Sequence, residues 1–195
     1  MKSINATLKL IAKEIHRFST DTQYDIKSSL IGGQAIISYG IPRTSLDIDI
    51  CMVIMDNKNN YIDGKKFTDF LLKELPDFNI KFHRGTDIED SLKHDFIRLQ
   101  HKKNIYPIID IIFANYKWEI ESIKESIKVK NIPIPVLPKK YLIAMKLKAG
   151  GLKDILDIND LFQLMSKKEK QEVFDLTVYL RIDKKLRKIV NINSL

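Results

Sequence analysis

The stretch from residue 31 to residue 50 limits most strongly what this chain can fold into. The glycine pair Gly32-Gly33 follows an apolar approach and opens a predicted short helix, after which a loop leads into a predicted strand with Asp47 and Asp49. Because side chains two residues apart on a strand point to the same face, we expect these carboxylates to lie together, about 7 Å apart along the chain. Two carboxylates beside a glycine turn suit a divalent metal ion and a phosphate better than they suit a hydrophobic core.

Length and composition indicate a globular chain. Its 195 residues provide one domain of ordinary size, or one domain with a smaller helical addition. No apolar run approaches the roughly 18 residues that span a bilayer, and charges occur throughout the first residues, so we expect neither a membrane segment nor a signal peptide. With one cysteine, Cys51, no intrachain disulfide can form. These features predict a cytoplasmic protein without a membrane partner.

The net charge of +8 is unevenly distributed along the chain. Residues 1–116 carry 16 Lys and Arg against 15 Asp and Glu, whereas residues 117–195 carry 17 against 10. A basic C-terminal part favours a polyanionic partner, such as a nucleoside triphosphate, RNA or an acidic protein. A Lys-rich coding bias of the source genome would give the same excess, so charge alone does not decide the partner.

Hydrophobic periodicity predicts helices and strands in the first 114 residues. The predicted helices cover residues 4–18, 34–39 and 65–75, and the predicted strands cover residues 24–31, 47–55, 78–84, 95–101 and 106–114. Their order and short connections favour a mixed or antiparallel sheet with helices on one side, which is an α+β fold.

The chain becomes helical beyond Trp118. We expect helices over residues 119–129, 139–149 and 153–165, followed by one or two more. Three prolines prevent a helix over residues 131–138 and predict an extended linker there. The sequence is therefore divided into a sheet-containing domain of residues 1–130 and a small helical domain of residues 131–195.

Asp110 interrupts the apolar run of residues 108–112, which predicts a buried strand. Burying an unpaired carboxylate costs several kcal/mol, so we expect a compensating cation beside it. If this strand is a neighbour of the strand with Asp47 and Asp49, three carboxylates converge at one point. Because acidic groups repel one another, they favour a divalent ion, and ligands that are all oxygen select Mg²⁺ or Mn²⁺ over zinc.

The glycine pair, a gap of 13 residues and the sequence Asp47-Ile48-Asp49-Ile50 together resemble the signature of the nucleotidyltransferase superfamily with the DNA polymerase β-like fold. The spacing of Arg43 and Ser45 before Asp47 resembles a small bacterial branch. That branch includes the toxin-type (AbiEii-like) enzymes of abortive-infection and toxin–antitoxin systems, and the lincosamide-type antibiotic nucleotidyltransferases. Residues 144–157 are similar to a helix pair of the toxin-type group, with the pattern Lys…Ala…Lys-Asp-x-x-Asp.

The resemblance implies an enzyme that transfers a nucleoside monophosphate from an NTP to an acceptor hydroxyl and releases pyrophosphate. It implies that Asp47 and Asp49 bind Mg²⁺ or Mn²⁺, and that Asp110 completes a second metal site or acts as the general base. The residues to which it assigns contacts with the nucleotide are Gly32, Gly33, Arg43, Ser45, Lys146, Lys153 and Asp154. Asp157 belongs to the same helix pair. For Asp154 and Asp157, charge in the first helical turn is an equally good structural explanation.

Several acceptors and functions stay open at this point. A toxin-type enzyme would modify RNA, such as the acceptor end of tRNA, or a protein, and a cognate antitoxin would be a further partner. An antibiotic-modifying enzyme is the alternative, although an acidic C-terminal pocket would then be expected. A module that binds nucleotides or RNA without catalysis is the alternative of another class. A purely structural protein would need Asp110 to be exposed or paired with a surface lysine.

Other reactive side chains are assigned to surface or core positions. His83, His94 and His101 lack the spacing of zinc ligands and are expected on surface strands and loops. Cys51 shares a strand face with Asp49 and is expected to be a buried thiol. The sequence has no Gly-x-x-x-x-Gly-Lys-Ser/Thr loop, which excludes a P-loop NTPase.

Overall fold

The computed structural model describes residues 2–86 and 93–190. In this part of the chain the elements are α1 (Ile4–Thr22), β1 (Asp25–Ile31), α2 (Gly32–Ser38), β2 (Ile48–Met55), α3 (Gly64–Glu74), β3 (Phe78–His83), β4 (Phe96–His101), β5 (Ile109–Phe113), α4 (Lys117–Lys124), α5 (Lys139–Ala149), α6 (Leu152–Gln163), α7 (Lys167–Tyr179) and α8 (Asp183–Ile189). All five strands lie between Asp25 and Phe113, together with α2 and α3, and helices α4 to α8 follow them in the described residues. The predicted α+β class is therefore confirmed.

The five strands form one mixed sheet in the order β1-β2-β5-β4-β3. β2 and β5 run parallel, and the other neighbours are antiparallel. The register pairs Asp49 with Asp110, Asp110 with Arg98, and Arg98 with Lys81. Because cross-strand partners share a face of the sheet, these four side chains form one row, which we call the charged row. The two predicted carboxylate strands are thus neighbours, as the metal-site hypothesis requires.

The hydrophobic core lies on the opposite face of the same strands. Alternate residues there are fully buried: Ile48 and Ile50 on β2, Ile109 and Ile111 on β5, and Ile97 and Leu99 on β4. α1 and α3 pack on the sheet and on each other through aromatic rings, with the centroids of Phe18 and Phe67 5.0 Å apart. The period-2 pattern of the strands therefore separates a buried apolar face from the face that carries the charged row.

The extended segment of residues 131–138 packs along the outer edge of β1. The Leu30 N–H donates to the Pro135 carbonyl at 2.7 Å, and the Leu137 N–H donates to the Leu30 carbonyl at 3.1 Å. Val136 has no exposed surface. The segment is extended, as its prolines predict, and it leads the chain into α5. The division at residue 130 stays a prediction.

Element boundaries differ from the expectations in several places, among them α1, which continues to Thr22, and the elements β2, β5 and α4. β2 begins at Ile48, so Asp47 lies just before the strand rather than in it. β5 begins at Ile109 rather than at residue 106; Pro107, which has no N–H to donate to a ladder, lies in the stretch that stays outside the strand. α4 covers Lys117–Lys124, so it starts and ends earlier than the predicted helix over 119–129.

The expectation that the histidines lie on the surface is wrong for two of them. His94 and His101 are buried, at 5% and 6% exposure. His101 is covered because its ring contacts those of Phe78 and Tyr106, at centroid distances of 5.0 and 5.3 Å. The expectation of a buried thiol is confirmed, since Cys51 is 1% exposed and burial raises its pKa.

No helix in the described ranges is both long enough and apolar enough to cross a membrane. The longest of these helices, α1, carries charged residues along its length.

Candidate functional site

The glycine turn between β1 and α2 holds the carboxylate of Asp49. Gly32 has a φ of +61°, which side chains other than glycine rarely adopt, and a β-carbon there would overlap the Asp49 carboxylate. The Gly33 N–H donates a hydrogen bond to the same carboxylate. The glycine pair is therefore needed so that the backbone can approach Asp49 closely.

The surroundings of Asp49 disfavour its negative charge. Burial comes first, followed by the charges of Asp110 and Asp47, and together they raise the pKa of Asp49 from 3.8 to about 6. The positive charge of Lys146 and the Gly33 N–H oppose this shift only in part. Burial and the neighbouring carboxylates thus outweigh Lys146 and the Gly33 N–H in their effect on the charge of Asp49.

Asp110 has the compensating cation that its burial requires, and that cation is Arg98. Arg98 Nε donates to Asp110 Oδ1 at 2.8 Å, and Arg98 Nη2 donates to Asp110 Oδ2 at 2.7 Å. The Asp110 side chain is 16% exposed, whereas that of Arg98 is 50% exposed. The hydrogen bonds to Asp110, and the charges of Asp110, Asp47 and Asp49, raise the pKa of Arg98.

The sequence interpretation missed Arg98 as a site residue. It recognised the alternation of Phe96, Arg98 and Gln100 along a strand, but sequence does not show that this strand lies beside Asp110. The only signal was an arginine on the polar face of a predicted strand, which is common on surfaces. The register of β4 against β5 turns it into a partner of the third carboxylate.

Asp47 lies at the entrance to β2 and is exposed. The Ser45 hydroxyl donates to the Asp47 carbonyl at 3.4 Å, which orders the turn before the strand. Within residues 2–86 and 93–190, no three His, Cys, Asp or Glu side chains are close enough together to hold a metal ion as they stand. The assignment of Asp47, Asp49 and Asp110 as metal ligands therefore stays a prediction, and Arg98 binds the third of these carboxylates.

Arg43 and Lys146 belong to a network that joins the loop before β2 to the helices α5 and α6. Arg43 Nη1 donates to Asp157 Oδ2 at 2.6 Å, and Lys146 Nζ lies 2.8 Å from the same oxygen. Lys146 Nζ also donates to Asp154 Oδ1 at 2.6 Å. Asp157 is buried and its side chain is 6% exposed. Aspartates thus bind both cations that are predicted to contact phosphates.

The remaining residues that are predicted to contact the nucleotide differ in how far they are buried. The Gln34 side-chain amide donates to the Ser45 carbonyl at 2.8 Å, and a β-carbon at Gly33 would overlap the Ser45 side chain, so the loop packs on the glycine turn. Asp154 accepts the Gly151 N–H at 2.9 Å and so caps α6. Lys153 is exposed on the first turn of α6. The structure brings Ser45 to the site and leaves Lys153 at the surface.

A cavity of about 160 Å³ lies between the sheet and α5. Its walls are mainly apolar and include Ile112, Leu142 and Met145, whereas Asp49 and Lys146 supply charged groups. Because it contacts both the carboxylate strand and the helical half of the chain, it is placed to take a small apolar or aromatic group next to the carboxylates.

A buried contact between His94 and Glu119 also lines this cavity. His94 Nε2 lies 2.9 and 3.0 Å from the two carboxylate oxygens of Glu119, which also accepts the backbone N–H groups of Asn115 and Tyr116. The sequence interpretation missed this pair, because 25 residues separate its members and no motif links them. Its hydrogen bonds fix the start of α4 against the wall of the cavity.

No protein-family model and no curated protein matches the sequence. The structure is similar to that of an antigenic nucleotidyltransferase-like protein from Paracoccidioides brasiliensis, with a TM-score of 0.50 and 15% identity, covering 97% of this chain and 94% of the other. It is also similar to the antibiotic-resistance factor ANT(2'')-Ia, with a TM-score of 0.51 and 12% identity, covering 94% of this chain and 98% of the other. Together with the glycine turn and the paired carboxylate strands, these likenesses show that the chain has the α+β nucleotidyltransferase fold.

Proposed function

We propose that the chain is a divalent-metal-dependent nucleotidyltransferase, which transfers a nucleoside monophosphate from an NTP to an acceptor hydroxyl. The observation that carries the proposal is the position of Asp49, which is held by a glycine turn, faces Asp110 across two parallel strands and has a pKa of about 6. The toxin-type subclass and the acceptor are finer parts of the same proposal.

Asp47 and Asp49 are the residues that would bind Mg²⁺ or Mn²⁺. Both offer carboxylate oxygens, which these ions prefer, and a cation would stabilise the charge of Asp49, which burial and the neighbouring Asp110 and Asp47 disfavour. When bound, such an ion neutralises and orients the phosphates of the NTP. Asp110 can join them only against the repulsion of the Arg98 guanidinium, which binds both of its oxygens.

Side chains of the protein would bind the phosphates and the base or acceptor, and would accept the proton of the attacking hydroxyl. Arg43, Ser45 and Lys146 would donate to the phosphates, with the aspartate partners of the two cations holding them ready near the carboxylates. The apolar cavity beside Asp49 would take the base or the acceptor. Asp110 would accept the proton of the attacking hydroxyl, since a carboxylate oxygen bound to a guanidinium keeps a second lone pair.

RNA, with tRNA as the first candidate, or a protein is the acceptor that we propose. The support is the basic excess of residues 117–195, the part that contains α4 to α8. A toxin with a cognate antitoxin would fit this chemistry. An antibiotic acceptor is the alternative, and it would have to bind a cavity whose walls are mainly apolar rather than acidic.

Labelled nucleotides test the reaction class directly. The protein is incubated with each NTP in turn, labelled at the α- or the γ-phosphate, together with Mg²⁺ and total tRNA, total protein or an aminoglycoside or lincosamide. Nucleotidyl transfer places the α-label on the acceptor and the γ-label in pyrophosphate. Transfer of the γ-label to an acceptor, or no Mg²⁺-dependent transfer with any acceptor, would contradict the proposal.

A further inference from the structure

The pairing of Arg98 with Asp110 lies inside the proposed metal site rather than at its margin. The guanidinium binds both oxygens of the carboxylate, at 2.8 and 2.7 Å, in the fork geometry that gives the strongest arginine–carboxylate contacts. The charges of Asp47 and Asp49 also act on Arg98. Arg98 therefore interacts electrostatically with all three carboxylates that the sequence assigns to metal binding.

The sheet fixes this arrangement. Arg98 is opposite Asp110 across β4 and β5, and Asp110 is opposite Asp49 across β5 and β2. The backbone keeps Arg98 within reach of Asp110, because the ladder hydrogen bonds between β4 and β5 hold both Cα atoms in place. Half of the Arg98 side chain remains exposed, so it can still leave the carboxylate by a change of rotamer.

A divalent ion and Arg98 need the same oxygens of Asp110. A metal ion on Asp110 would either displace one of the two N–H donors or take the second lone pair of the same oxygens, and in both cases two cations so close together repel each other. In the described part of the chain, no cluster of three ligand side chains is assembled for an ion. The arginine thus occupies the position in which a second ion would neutralise the third carboxylate.

We propose that Arg98 is a built-in cation of the site, which competes with a divalent ion for Asp110. The nucleotide-free protein then binds one divalent ion, through Asp47 and Asp49, and binds a second only when Arg98 is displaced. Arg98 is a positioning residue in this view, since it acts through Asp110. The inference rests on the proposed function for the existence of the first ion.

Binding of Mn²⁺ alone, without nucleotide, tests this proposal. The free Mn²⁺ signal in electron paramagnetic resonance gives the number and affinity of bound ions for the full chain. We expect one ion for the wild-type chain and two for Arg98→Gln, with the affinity for the second ion at least about tenfold higher than in wild type. Arg98→Lys, which keeps the charge but loses the fork, should lie between them.

Two further variants make the test specific. Arg84→Gln is the matched control, because Arg84 also bridges carboxylates, those of Asp63 and Asp95, and is about as exposed as Arg98. It should bind one ion, as wild type does. Adding Asp110→Asn to Arg98→Gln should remove the second ion again. Cooperative thermal unfolding of each variant confirms that it is folded.

The outcomes separate this inference from the proposed function. One ion of equal affinity in both wild type and Arg98→Gln would overturn the role of Arg98 and leave the first metal ion in place. Two ions in wild type would overturn it as well, because the arginine would then not compete. No bound ion in any variant would overturn both the role of Arg98 and the metal dependence of the proposed function.

Discussion

The carboxylate of Asp49 lies against a backbone turn, partly buried and beside two other carboxylates. A folded protein keeps such a group only at a cost in stability, which a bound cation can recover. This combination is typical of functional sites, where stability is often given up for chemistry. The environment of this one residue therefore leads to measurable consequences in the absence of any substrate.

Replacing Asp49 by asparagine should stabilise the metal-free protein at neutral and alkaline pH. Because the pKa of Asp49 is raised from 3.8 to about 6, the wild-type protein loses stability as the pH rises between these values, and the loss is complete above them. Urea unfolding at pH 8 should give Asp49→Asn a free energy of unfolding about 1–3 kcal/mol higher than wild type. Below about pH 3, where the carboxyl is protonated in both the folded and the unfolded state, the difference should vanish.

The control for this measurement is Asp69→Asn, at an exposed position on α3. It should change stability little at either pH. Equal stability of Asp49→Asn and wild type at pH 8, or a destabilised variant there, would contradict the assigned environment of Asp49.

A comparison of Gly32→Ala with Gly40→Ala separates the effect of backbone strain from the effect of displacing the Asp49 carboxylate. Both Gly32 and Gly40 have positive φ, at +61° and +86°, but an added β-carbon overlaps Asp49 at Gly32 and meets nothing within 4 Å at Gly40. Each substitution should cost about 1 kcal/mol for the backbone conformation, and Gly32→Ala should cost more because Asp49 must move. Mn²⁺ binding should fall for Gly32→Ala alone, and equal effects of the two variants on Mn²⁺ binding would contradict this reading.

At the scale of elements, most strands and helices could be predicted, because apolar runs, alternation and boundary residues such as proline and glycine mark them. β2, with a carboxylate on one face and buried isoleucines on the other, and α5, bounded by Pro138 and Gly150, follow from the sequence directly. The glycine turn and both of the carboxylates on strands, Asp49 and Asp110, were also recognised.

Pairings between distant segments could not be predicted, because nothing local encodes them. Arg98 becomes the partner of Asp110 only through the order of the strands, and His94 meets Glu119 only because α4 closes over the sheet. The proline-containing segment was expected to be a linker, yet Val136 is buried against β1. The sequence thus predicted the carboxylates of the site but not Arg98, which binds one of them, Asp110.

The network of Arg43, Lys146, Asp154 and Asp157 couples the loop before β2 to α5 and α6. Asp157→Ala would leave Arg43 and Lys146, which are only 20% and 14% exposed, without a shared partner. We expect a loss of about 2 kcal/mol in the free energy of unfolding. Pyrophosphate should restore part of it, because an anion between the two cations replaces the lost carboxylate.

Glu172→Ala is a suitable comparison for Asp157→Ala. Glu172 lies 3.9 Å from Lys140 on a more exposed face, where an ion pair contributes little. Thermal unfolding with and without pyrophosphate measures both variants. A loss for Asp157→Ala no larger than that for Glu172→Ala, or no response to pyrophosphate, would argue against a phosphate-binding network.

At the scale of the whole molecule, the positive charge is concentrated in the part that contains the C-terminal helices. If RNA is the acceptor, tRNA binding should weaken at least about tenfold between 50 and 200 mM salt, since bound phosphates release counterions. Charge reversal at Lys184 and Lys188, both exposed on α8, should weaken binding more than reversal at Lys9 and Lys13, both exposed on α1. Filter binding measures both effects, and equal losses would exclude a binding surface specific to the C-terminal part.

The central claim is that the carboxylate of Asp49 supports metal-dependent nucleotidyl transfer. The most direct measurement is the rate at which α-labelled NTP modifies the acceptor in Mg²⁺, for wild type, Asp49→Asn and Asp69→Asn. The account predicts that Asp49→Asn, which keeps the shape but not the charge, loses about 10²-fold or more, while Asp69→Asn retains the wild-type rate. A rate for Asp49→Asn equal to that of wild type would contradict it.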